Sequence, residues 1–209
     1  MRIDRILFTA PASGCGKTTV TCAVLGALKK LGRRPVSFKT GPDYIDPMFH
    51  RQVLGIPSAN LDLFLTPAGT AQWLFCRHAA RGDIAVVEGA MGYYDGIAAG
   101  EDASAYQVAR LTGTPAVLVA DAAGMSLSAA ALLEGFARFR QDSGIAGVIF
   151  NRMSPALYPR MAELVRRETS LIPLGYLPRM EEAAFESRHL GLVTAGEIEG
   201  VRRKLELLA

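Results

Sequence analysis

The chain has little of what a stapled, metal-nucleated or membrane-anchored protein would need. Its 209 residues include three cysteines, Cys15, Cys22 and Cys76. The number is odd and no pair has CxxC spacing. This excludes a disulfide framework or a zinc ribbon and makes a reducing, cytoplasmic setting the expectation. The three histidines, His50, His78 and His189, share no metal-ligand spacing. The longest uncharged run, Leu63 to Cys76, carries Pro67 and Gly69 and falls short of the about 20 residues that cross a bilayer. Asp4 and Lys17 interrupt the N-terminal stretch, so no export signal is read there. The formal net charge is only +3, which excludes the basic footprint of a nucleic-acid-binding surface. There is no nucleophile elbow and no Ser-His-Asp order.

What is present is an ordinary globular composition, 50% apolar and 21% charged, long enough for one large domain with a substantial core. Short apolar runs rich in β-branched residues alternate with helical stretches. The expected strands are residues 5–10, 36–39, 84–88, 116–121, 147–151 and 172–177. The expected helices are 16–31, 67–81, 104–111, 126–141 and 155–168, with a last one from Glu197 that is still running at Ala209. Continuous rather than alternating apolarity marks strands buried on both faces. The βα alternation predicts a doubly wound α/β fold, a mostly parallel sheet with helices on both faces. Polar residues stand at the strand ends: Thr9, Lys39, Glu88, Asp121 and Asn151. In such a sheet the carboxyl ends share one edge, and ligands bind there.

The strongest local motif is APASGCGKTT, residues 10–19, set between a strand and a helix as a phosphate-binding loop requires. Gly14, Cys15 and Gly16 would offer backbone N–H groups to phosphate oxygens, at a helix N-terminus with its positive dipole end. Lys17 would reach the β and γ phosphates. Thr18 would bind Mg²⁺, and Thr19 completes the motif. Pro11 stands where the strict pattern has its first glycine. A plain glycine-rich helix cap is the competing reading. In IAVVEGAMGYYDG, residues 84–96, an apolar strand ends in Glu88, placed like a Walker-B carboxylate to hold Mg²⁺ directly or through water. Asp95 lies at the far end of the glycine loop that follows.

KTGPDYIDPMFH, residues 39–50, follows the second strand. Asp46-Pro47 reads as an N-cap followed by Pro at the first helical position. That leaves Asp43 for Mg²⁺ or substrate positioning. Lys39 would neutralise a substrate carboxylate or a transferring phosphoryl group, unless it is a surface lysine at a strand end. Ser104 opens a capping-box pattern, with carboxylate binding as its second reading. Asn151 would pair with an adenine edge or sit in a turn. Cys22 and Cys76 read as core residues, and His50 and His189 as undecided.

The segments APASGCGKTT, FKTGPDYIDPMFH, VVEGAMGYYDG, AVLVADA, GVIFNR, GYLPR and RHLGLV together resemble the cobyrinic acid a,c-diamide synthases, over about Ile6 to Val193. That resemblance implies a P-loop fold like that of dethiobiotin synthetase and an ATP- and Mg²⁺-dependent amidoligase of cobalamin biosynthesis. A carboxylate of the tetrapyrrole would attack ATP, and ammonia would capture the acyl phosphate. It carries over Lys17, Lys39, Asp43, Glu88 and Asp95 as catalytic. Thr18, Asp43 and Glu88 become metal-binding, and Tyr44, Ile45, Tyr94 and Ser104 substrate-binding. Asn151, Pro178 and Arg179 join the phosphate loop at the nucleotide. Members of the family also carry a glutaminase domain with a Cys nucleophile, for which this chain offers no candidate. The expectation is therefore a single synthetase domain over 1–209, taking ammonia from a glutaminase elsewhere. Cobalt, nickel or an empty ring, and monomer or homodimer, stay open. The alternatives are a nickel-sirohydrochlorin synthase, a dethiobiotin-synthetase-like ligase and a partitioning ATPase. The last would need a lysine where Ala12 stands.

Overall fold

The buried strands and amphipathic helices assemble as the alternation requires. In the computed structural model, which describes residues 3–179, the strands are β1 (Asp4–Thr9), β2 (Pro35–Thr40), β3 (Ser58–Leu61), β4 (Ile84–Glu88), β5 (Ala116–Asp121), β6 (Ile145–Asn151) and β7 (Ile172–Tyr176). The helices are α1 (Lys17–Lys30), α2 (Ile45–Gln52), α3 (Ala68–Ala79), α4 (Ala105–Thr112), α5 (Leu127–Arg138) and α6 (Tyr158–Glu168). The strand order is β3-β2-β4-β1-β5-β6-β7, and every pairing among the described residues is parallel. The last expected helix, His189 and the RHLGLV segment lie outside the described residues.

Period-two alternation divides the core between the two faces. Phe8, Val86, Val117 and Val119 pack under α1 and α2 with Val20, Leu25 and Phe49. On the other face Leu7, Phe38, Val87 and Ala116 meet Phe75 of α3 and Val108 of α4. Leu118, Val148 and Phe150 meet Leu133 of α5 and Val165 of α6.

The sequence pattern does not show β3. Its four residues, Ser-Ala-Asn-Leu, are too short and polar to register as an apolar run. It forms because β2 offers an open edge, pairing Ser37 to Ser58 and Thr40 to Leu61.

The chain starts at β1, winds out to β3, returns to β4 beside β1, and then crosses to β5. This reversal leaves the carboxyl ends of β1, β2 and β4 around one crevice, the place where open α/β sheets hold ligands. Leu118 is fully buried in β5. Leu118→Ala should cost about 2–5 kcal/mol of stability, read as a lower urea midpoint with an unchanged slope.

Candidate functional site

The crevice is lined by the loop from β1 to α1, the loop from β2 to α2, and the glycine loop after β4. In the first, Gly16 caps α1 with φ +94°, in the left-handed region. A Cβ there would sit 2.0 Å from Asn151 Nδ2, so only glycine fits both the turn and its neighbour. Lys17, the first residue of α1, is nearly buried. Its ammonium donates to the backbone oxygens of Ala12 at 3.1 Å and Met91 at 2.5 Å. The lysine thus lies across the mouth of the loop, tying it to the glycine loop. Burial lowers its pKa, and the neighbouring Lys39 adds to that.

Lys39 and Glu88 are register partners on adjacent strands, so their side chains leave the sheet on the same face. Lys39 Nζ donates to Glu88 Oε1 at 2.8 Å and to Asp46 Oδ2, and lies 3.8 Å from Asp43 Oδ2. Thr18 Oγ1 donates to the same Glu88 Oε1 at 2.5 Å. Glu88 is wholly buried and Lys39 is 5% exposed. Burial works against the Lys39 ammonium, but Glu88 and Asp46 outweigh it and its pKa rises. Burial pushes the Asp46 carboxyl up, with the Glu88 charge adding to it and Lys39 opposing.

The helix-opening role expected for Asp46 is corrected here, and Asp43 takes it. Helix α2 starts at Ile45, and Asp43 serves its N-terminus: Oδ1 accepts from the N–H of Ile45 at 2.8 Å and of Asp46 at 3.4 Å. Pro47 falls in the first turn, where its missing N–H has no intrahelical partner to lose. Asp46 is therefore no cap. Its carboxylate turns inward to Lys39. The second oxygen of Asp43 still faces the crevice. Asn60 of β3 braces this loop, donating to the backbone oxygens of Gly41 and Asp43 at 2.8 and 2.5 Å.

Other expected site residues separate. Tyr44 is 72% exposed at the crevice rim. Ile45 instead packs partly into the core under α1. Tyr94 is turned away: its hydroxyl donates to Phe136 O at 2.7 Å, and its ring lies among Tyr93, Tyr106, Phe136 and Phe139. A ring this large finds more apolar contact between α4 and α5 than at a wet loop. Ser104 is a buried helix cap, accepting from Gln107 N at 3.3 Å. Asp95 closes the glycine loop by accepting from Gly92 N at 3.0 Å; a Cβ on Gly92 would meet that carboxylate at 2.4 Å. Asn151 donates to Cys15 O at 3.0 Å, so its amide braces the phosphate loop. Pro178 and Arg179 are exposed just past β7, at the same sheet edge. Thr19 continues α1 one residue after Thr18.

Sequence reasoning missed Arg152 as a contributor and left His50 undecided. Arg152, with φ +55°, donates to Gly14 O at 2.9 Å and pairs with Asp121 at 2.7 Å, holding the phosphate loop from β5 and β6. His50 lies buried behind Glu88. For Arg152 the signal was its place directly after a strand-end Asn.

Two stability measurements follow from this burial. Lys39→Met leaves Asp46 and Glu88 uncompensated and should cost about 3–5 kcal/mol in urea unfolding at neutral pH. Burial also lowers the His50 pKa from 6.5 to about 4. Between those values the unfolded chain takes up a proton that the folded chain refuses, so stability falls as pH drops through this window. His50→Gln should flatten the slope of stability against pH between 6.5 and 5.

Residues 6–192 match the CbiA family, described as the CobQ/CobB/MinD/ParA nucleotide binding domain. The cobyrinate a,c-diamide synthase of Listeria monocytogenes is 43% identical over 99% of this chain and 46% of its own length. That of Gloeobacter violaceus is 45% identical over 98% and 45%. The hydrogenobyrinate a,c-diamide synthase of Mycobacterium bovis is 42% identical over 100% and 47%. The chain thus spans about half the length of these curated relatives. Chloroplast FtsY from Physcomitrella patens superposes with TM-score 0.65 at 13% identity, over 98% of this chain and 66% of that one. The MinC:MinD cell division protein complex of Aquifex aeolicus gives 0.59 at 16%, over 97% and 95%. At such identities these two establish the fold alone. A seven-stranded parallel sheet, a phosphate loop at its central strand and a family match over residues 6–192 make this chain a member of the CobQ/CobB/MinD/ParA nucleotide-binding domain family.

Proposed function

We propose that the chain is the synthetase half of an ATP-dependent amidoligase that converts the a and c side-chain carboxylates of cobyrinic acid, or of its metal-free counterpart, to amides in cobalamin biosynthesis. The observation that carries the reading is the convergence of the phosphate loop and the Gly-Pro-Asp-Tyr loop on one crevice, in a chain 42–45% identical to synthases of that name.

A carboxylate oxygen of the substrate attacks the γ-phosphorus of ATP, the bond to the β-phosphate oxygen breaks, and ADP leaves. Ammonia then adds to the acyl phosphate carbonyl, loses a proton, and expels inorganic phosphate. No protein nucleophile is required; positioning and charge neutralisation are. The α1 N-terminus and the loop N–H groups would cradle the phosphates. Lys17 would exchange its backbone acceptors for β and γ oxygens. Lys39, fixed by Glu88 and Asp46, would present positive charge where the γ-phosphoryl group meets the incoming carboxylate. Asp43 and Tyr44 stand at the mouth to orient the macrocycle, and closure of the loops around Asp43 and Asp95 would protect the acyl phosphate from water.

Magnesium fits this donor set. The described residues hold no cluster of three or more His, Cys, Asp or Glu side chains able to cage a metal. A hydroxyl and a carboxylate side by side, Thr18 and Glu88, suit a hard cation that keeps several waters and takes its other ligands from phosphates. Bound there, it would offset charge on the β and γ oxygens. Asp43 would contribute through water. Asn151, Pro178 and Arg179, at the same sheet edge, would sit on the nucleotide side of the phosphate loop.

Because the curated relatives are about twice as long, the nitrogen would come as ammonia from a glutaminase half, on the same parent chain or a separate one. No helix among the described residues is long and apolar enough to cross a membrane. Incubation with Mg-ATP, ammonium and either cobyrinic or hydrogenobyrinic acid should give products lighter by 1 Da per carboxylate converted, about 2 Da for the diamide, with ADP formed in step. Glutamine should serve poorly in place of ammonium, and Lys17→Ala should abolish turnover without unfolding the chain. Efficient use of glutamine by this chain alone would overturn the division of labour.

A further inference from the structure

A second polar layer lies behind the crevice, and the chemistry above makes no use of it. His50 of α2 has no solvent exposure. Its Nδ1 lies 3.0 Å from Ser37 Oγ of β2. Its Nε2 lies 3.9 Å from Glu88 Oε2 and 3.7 Å from Cys22 Sγ of α1. The two oxygens of Glu88 have different fates. Oε1 faces the crevice and accepts from Thr18 and Lys39. Oε2 points inward, is buried, and has no hydrogen-bond partner. An unpartnered buried carboxylate oxygen is costly, and the ring nitrogen of His50 faces it.

The tautomer follows from sign. A proton on Nδ1 would leave the Nε2 lone pair facing a carboxylate oxygen, with only the weak thiol donor of Cys22, 3.7 Å away, to answer it. A proton on Nε2 turns a donor toward that oxygen, and the Ser37 hydroxyl is then placed to donate to Nδ1. Contacts of this kind are often long before a ligand closes the site. We propose that His50 is a positioning residue for Glu88: held by Ser37 in the Nε2–H tautomer, it anchors the rear oxygen so that the front oxygen stays aimed at Thr18, Lys39 and the phosphates. Asp46, Lys39, Asp43 and Arg51 all lie near the ring, but the device needs no titration. It works with a neutral imidazole.

The kinetic part of the test rests on the amidoligase reading, whereas the tautomer does not. Imidazole ¹⁵N spectra of the ligand-free protein, with the His50 signals assigned by their loss in His50→Gln, should show a protonated Nε2 and an acceptor Nδ1. A protonated Nδ1 overturns the proposal. The two amide variants then separate orientation from packing, because Gln places its amide nitrogen near Nε2 and Asn near Nδ1. His50→Asn should weaken the Mg²⁺-dependent gain in ATP affinity and lower kcat by about 10-fold or more, as loss of a supporting hydrogen bond does. His50→Gln should stay within about 3-fold of the unaltered chain on both readouts. Equal losses in both variants, or none in either, would overturn the positioning role. If the unaltered chain forms no amide, the amidoligase reading fails, and the tautomer with the Mg²⁺-dependent affinities still decides the role of His50.

Discussion

The buried ammonium of Lys39 is the contact on which the site depends. Without it Glu88 and Asp46 could not both be charged in a space that water does not reach, and Asp43 would lose the charge that faces it. With it, three elements are fixed at once: β2 supplies the lysine, β4 the glutamate and α2 the aspartate. Ion pairs this deep seldom add net stability over apolar residues of similar volume. Their retention here fits a role in placing charge, since a lysine held from two sides cannot swing toward solvent.

The phosphate loop obeys the same logic of bracing from behind. Glycines give it freedom, and the rest of the fold removes that freedom again. Asn151 holds Cys15, Arg152 holds Gly14, and Lys17 spans to Met91. These braces arrive from β6, the turn after it, and the loop after β4. Residues more than a hundred positions apart in the chain therefore share one loop, which explains why a short glycine-rich segment can hold a defined shape before any anion arrives.

Much of this was legible in the sequence. Continuous apolar runs ending in Lys39, Glu88, Asp121 and Asn151 announced a parallel sheet and its working edge, because burial on both faces and a polar strand end leave a plain mark. The edge strand β3 left none, being short and held by pairing rather than by its own apolarity. The aspartates of the second loop were exchanged for a subtler reason. Asp-Pro is a common helix opening, but an aspartate three residues earlier can do the capping and free the second carboxylate for the interior. Tyr94 illustrates the limit from the other side: the family resemblance implies a substrate contact, and only the positions of α4 and α5 show that an aromatic cluster holds the ring instead.

The amide of Asn151 occupies the space that a side chain at position 16 would fill. Positions 16 and 151 thus form a single steric unit, although 135 residues separate them. Changing Asn151 would release Cys15 and unfasten the turn at Gly16, so the shape of the phosphate loop depends on a side chain from the far half of the sheet.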